Sequence, residues 1–75
     1  MLYTYRDMYN EVIESGKYPS RISKLKQLAQ LIHSNDRRKG GVDCAWEAIE
    51  TFESMTGVFF DPTQSDLDDI VYSII

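Results

Sequence analysis

The chain has 75 residues, 43% of them hydrophobic, and a net charge of −4, a length that excludes a second domain. Its single cysteine (Cys44) and single histidine (His33) exclude an internal disulfide and a Cys/His zinc site. No stretch approaches the ~20 apolar residues of a membrane span, and no basic start leads into an apolar run. Neither a membrane segment nor a signal peptide is therefore expected, and the cytoplasm is the expected compartment.

The first predicted helix runs from about Tyr5 to Ser15. Thr4 followed by Asp7 resembles a capping box. Tyr5, Met8, Tyr9, Val12 and Ile13 fall on one face, with Arg6, Asp7, Asn10, Glu11 and Glu14 opposite. Gly16 stands where a helix-ending glycine belongs. Pro19-Ser20 opens the second helix with Ser20 as N-cap. Ile22, Leu25, Leu28, Ala29 and Ile32 form its apolar stripe, and Leu31 lies off it. His33 closes this helix, where a cation suits the negative end of the dipole. Ser34–Gly41 reads as a loop with a basic tip.

Asp43 is expected to cap a third helix reaching about Thr56, ahead of Gly57. Cys44, Ala45, Ala48, Ile49, Phe52 and Met55 face inward, and Asp43, Glu47, Glu50 and Ser54 face outward. Val58-Phe59-Phe60 is too short for a strand and is expected to plug the core as an extended connector. Asp61-Pro62 marks a turn. Thr63 or Ser65 then caps a fourth helix through Ile75, with Leu67, Ile70, Val71, Ile74 and Ile75 apolar and Asp66, Asp68 and Asp69 in its first turn. Four such stretches, joined by loops of about 4 to 8 residues, predict an all-α protein, a compact bundle of four short helices in a single domain.

Charge is distributed unevenly. Residues 1–16 carry one base and three acids, residues 17–39 carry seven bases and one acid, and residues 40–75 carry eight acids and no base. This unevenness bears on partners and solubility rather than on fold. Cys44 and His33 offer a nucleophile and a base, but each has a structural role at its helix position, the thiol as a small core residue and the imidazole at a helix end. The acids from Asp61 to Asp69 miss the calcium-loop pattern, with no glycine at its sixth position and no glutamate at its twelfth, and capping accounts for them. No catalytic residue, metal ligand or cofactor is expected.

Two binding surfaces remain. Trp46 falls at the edge of its helix's apolar stripe, beside Glu50 and Glu53, and Tyr72 points away from its own stripe between Asp68 and Asp69. Aromatic side chains beside charged ones are what binding hot spots use. The bland alternative for Trp46 is cover from a neighbouring helix or from the connector. The reading is a non-enzymatic protein–protein interaction module, a small inhibitor, adaptor or accessory factor. It docks an acidic and aromatic helical face (Trp46, Glu47, Glu50, Glu53, Tyr72) on a partner with a basic surface. The alternative is a phosphate-directed nucleic-acid-binding protein using Arg21, Lys24, Lys26, Arg37, Arg38 and Lys39. A chain this short buries only about 60% of its unfolded surface. With no covalent staple, and with a broad apolar side on the fourth helix, a homodimer is also expected.

Overall fold

The computed structural model describes residues 2–74, which form four α-helices and no strand. Ile75, assigned above to the fourth helix, lies outside the described residues. In α1 (Tyr5–Glu14) the capping box forms: the Asp7 N–H donates to Thr4 Oγ1 at 3.3 Å and the Thr4 N–H to the Asp7 carboxylate at 2.8 Å. The Thr4 N–H, and after it the Thr4 hydroxyl donating to the same carboxylate at 3.0 Å, hold the Asp7 carboxyl below its ordinary pKa. The helix does not end through Gly16. Ser15 closes it in an extended conformation, and its hydroxyl catches the Lys17 N–H at 3.1 Å, so no left-handed residue is needed.

α2 (Arg21–Asn35) starts at Ser20, whose hydroxyl accepts the Ser23 N–H at 3.2 Å. It runs on through Ser34 and Asn35, which the sequence pattern assigns to a loop. The loop contracts because Asp36 organises it: its carboxylate accepts the Arg38 N–H and its carbonyl the Lys39 N–H, both at 3.1 Å. α3 (Gly41–Thr56) is capped by Gly40 and not by Asp43. The Gly40 carbonyl accepts the Cys44 N–H at 2.9 Å, so the helix begins earlier. Asp43 becomes its third residue, where a negative charge still favours the dipole. Gly41 packs closely there: a Cβ would come within 3.1 Å of Val71 Cγ1, so the valine would have to give by a few tenths of an ångström. Gly57 ends the helix with φ 73, the left-handed conformation glycine adopts most cheaply.

α4 (Gln64–Tyr72) begins at Thr63 rather than Ser65, with a second capping box made with Asp66 at 3.0 and 3.1 Å. It stops three residues short of the expected Ile75. The Ser73 hydroxyl donates to the Ile70 carbonyl at 2.6 Å, and the Ile74 N–H to the Val71 carbonyl at 3.1 Å, closing the last turn tightly.

The helices pack with α2 at the centre, touching each of the others; α3 lies along it, α4 contacts both, and α1 contacts α2 and, more lightly, α3. α1 and α4 do not meet. The core is Val12, Leu25, Leu28, Ala29, Ile32, Cys44, Ala45, Ala48, Ile49, Phe52 and Ile70. Ala29, Ala45, Ala48 and Cys44 are fully buried, and such small side chains let helix axes approach closely. Leu31, off the stripe in sequence, nevertheless packs against the core.

Three expectations about the core are corrected. Met55 is only half-buried, because α1 covers that flank of α3 lightly. Within the connector only Phe60 packs on the core, while Phe59 is 80% exposed. Successive residues of an extended chain face opposite ways, and the Glu53 carboxylate accepts the Phe60 N–H at 3.0 Å, which selects Phe60 as the inward member. The apolar side of α4 is not bare either. Ile70 is fully buried, and Leu67, Val71 and Ile74 pack against the core.

Candidate functional site

Trp46 stands on the surface of α3, 43% exposed, so it is only partly covered. Glu50, one turn further along, is also exposed, and among the described residues its carboxylate has no ion pair or hydrogen bond. Tyr72 is 74% exposed at the end of α4, directly after Val71, whose side chain approaches Gly41. The α4 C-terminus therefore lies beside the α3 N-terminus. The other acids of the expected face have intramolecular partners. Glu47 is half-buried and ion-paired with Lys39, and Glu53 anchors the connector through Phe60. Of the expected residues, Trp46 and Glu50 remain available on α3 and Tyr72 is exposed on α4.

Two further apolar residues that the sequence pattern alone leaves out are exposed. Val42 is 58% exposed and lies four residues before Trp46 on α3, so the two share one side of the helix. That spacing is the signal for it, but with Asp43 taken as the cap, Val42 falls outside the helix. Phe59 is the second, and the alternation of an extended segment is its signal.

The basic segment is dispersed. The Arg21 guanidinium lies over the Phe60 ring, 5.3 Å from its centroid. The Lys24 ammonium donates to the Ile13 carbonyl, Lys26 lies 3.7 Å from the Asp69 carboxylate, and Lys39 holds Glu47. Of the six candidate phosphate-binding residues, Arg37 and Arg38 lack such partners among the described residues. They sit past the far end of α2 from Arg21, and the helix between spans about 21 Å at 1.5 Å rise per residue. The Ser20 and Ser23 hydroxyls, which would flank a phosphate at this helix start, bond each other at 3.0 Å while Ser20 caps the helix.

The remaining reactive groups are held apart. Cys44 is buried with its thiol 3.8 Å from the Lys39 carbonyl, and burial pushes its pKa up, the opposite of what a nucleophile needs. Asp66 is engaged in its capping box, Asp68 accepts from Gln64 at 3.0 Å, and Asp69 faces Lys26. Among the described residues no three His, Cys, Asp or Glu side chains converge as metal ligands. A surface depression of about 410 Å3 between Leu2, Tyr3, Asp7, Asn10 and Glu11 is open to solvent. No described helix is long and apolar enough to cross a membrane.

Fold and surface together define an all-helical four-helix bundle with an aromatic and acidic ridge. No family model, curated protein or solved structure matches this chain.

Proposed function

We propose that this protein is a protein–protein interaction module that uses the Trp46 side of α3 to dock on a partner presenting basic groups. The observation that carries the reading is the exposure of Trp46 beside an unpaired Glu50. A tryptophan costs solvation when left in water, and a docked protein recovers it. Val42 and Tyr72 enlarge the apolar ground, while Glu50 supplies the charge that steers a basic partner into register. Glu47 and Glu53 serve the fold, so the working set is narrower than the acidic face as a whole.

The test places a photo-crosslinking residue at Glu50 and compares capture by the wild-type background and by Trp46→Ala. Loss of a hot-spot aromatic costs about 2 kcal/mol or more of binding, roughly a thirtyfold weakening. Trp46→Ala is expected to reduce capture by that order while the melting temperature moves by only a few degrees. Unchanged capture removes Trp46 as the anchor. A collapsed melting transition makes it a structural residue instead.

A further inference from the structure

Trp46 stands between two carboxylates on one side of α3. Asp43 lies three residues before it and Glu50 four residues after, so both are its neighbours on the helix surface, about 5–6 Å away between Cβ atoms. All three residues are exposed, and among the described residues neither carboxylate has an ion pair. The chain's own bases do not answer them. Residues 40–75 contain eight acids and no base, Lys26 turns to Asp69 on α4, and Lys39 turns to Glu47, which is about 100° round the helix from Trp46. An indole ring with an unpaired carboxylate one turn to either side is left facing water.

We infer that this site receives arginine side chains, two of them, presented by the partner about two helical turns apart so that they straddle the Trp46 indole. This rests on the docking role proposed for Trp46 and specifies the basic group that it takes. Charge complementarity sets the number and the spacing, because Asp43 and Glu50 stand ~10 Å apart along the helix axis at 1.5 Å rise per residue. The ring between them sets the kind of cation. A guanidinium is planar, so it lies flat on an aromatic face while its edge N–H groups pair with a carboxylate; the lysine ammonium is a compact, strongly hydrated point charge without that flat surface. Tryptophan is also the aromatic side chain that attracts a cation most strongly. Both carboxylates are exposed, so each pairing adds little by itself, and binding weakens as salt is added.

Trp46 is the only tryptophan of the chain, so its fluorescence reports this site directly. The probe is an alanine-based helical peptide bearing two arginines two turns apart, titrated against the full chain at low salt. A saturable change in emission is expected, half-complete below about 1 mM peptide and diminished by added salt. The same peptide with lysines is expected to bind about fivefold more weakly, and with glutamines not to bind. Glu50→Gln and Asp43→Asn, each first checked for native helicity by circular dichroism, are expected to weaken the arginine peptide about threefold apiece. An emission that the arginine peptide leaves unchanged overturns the inference, as does an affinity indifferent to both carboxylate substitutions. Equal binding of the lysine peptide removes the choice of arginine and leaves a docking surface for basic groups, while equal binding of the glutamine peptide makes the occupant apolar. Loss of cross-linked capture by Trp46→Ala without any peptide binding would leave the docking surface standing and remove only arginine as its ligand. Unchanged capture together with no peptide binding would remove both.

Discussion

Cys44 and Trp46 lie two residues apart on α3 and meet opposite surroundings, because a step of two positions turns a helix by about 200°. Cys44 faces α2 and is fully buried, while Trp46 faces solvent. The buried thiol resists ionisation, and burial likewise raises the half-buried Tyr9 hydroxyl. Both groups are neutral in the folded state at pH values where the unfolded chain has already released their protons. Their contribution is therefore complete below the ordinary thiol and phenol values and is lost as pH climbs beyond them. Urea midpoints are expected to stay level up to pH ~8 and to fall from about pH 9 upward. Iodoacetamide is expected to label native Cys44 far more slowly than the urea-unfolded chain. Equal labelling rates would mean that the thiol is open to solvent. The direction of each of these side chains is legible from helical period, but the exposure of Trp46 is not. Periodicity places it at the stripe's edge, and whether a neighbour covers an edge depends on where that neighbour packs.

At the scale of elements, the helices announce themselves through caps and stripes, and sequence and structure part at their ends. Thr4–Asp7 is readable because both halves of a capping box lie within four residues. Asp43 misleads because a cap is defined by the backbone conformation it stops, and Gly40 reaches that conformation first. Gly57, which ends α3, and Gly16, which follows the Ser15 cap of α1, make a paired test. Gly57 holds φ 73, and a methyl group in place of its Cα hydrogen would meet nothing within 4 Å. Gly57→Ala therefore loses only conformational ease, about 1 kcal/mol. Gly16 is equally unobstructed and lies outside the left-handed region. Gly16→Ala is expected to be neutral or stabilising by about 0.5 kcal/mol, since alanine restricts the unfolded chain. Urea denaturation of both variants checks the contrast; equal losses would place Gly16 in the left-handed conformation after all.

For the whole molecule, a chain of this size has a stability of roughly 4–11 kcal/mol, and α4 contributes to it through few residues. Ile70 is its one fully buried side chain, and Gln30 of α2 donates to the Ser73 carbonyl at 3.1 Å to tie the helix end. Ile70→Ala is expected to cost about 2–5 kcal/mol, a large share of the total, with a drop in melting temperature to match. Tyr72→Ala, two residues on but 74% exposed, is expected to change stability by no more than ~0.5 kcal/mol. Comparable losses in the two variants would show that the end of α4 is packed differently.

The residues by themselves determined the number of helices, most of their inward stripes, two of their four N-caps and a third as one of two candidates, because period and capping act over no more than four positions along the chain. They also determined that the acids gather after residue 40 and the bases before it. Tertiary structure decided which charges were still available. Glu47 and Lys39, Lys26 and Asp69, and Arg21 and Phe60 come together only when separate elements pack, and each pairing withdraws residues from the surface. Packing likewise turned Phe60 inward and left Phe59 in water, covered the apolar side of α4, and left Val42, Trp46 and Glu50 exposed on α3. The reason is one of range: a helix can specify the direction of a side chain, and only its neighbours can specify what that side chain meets.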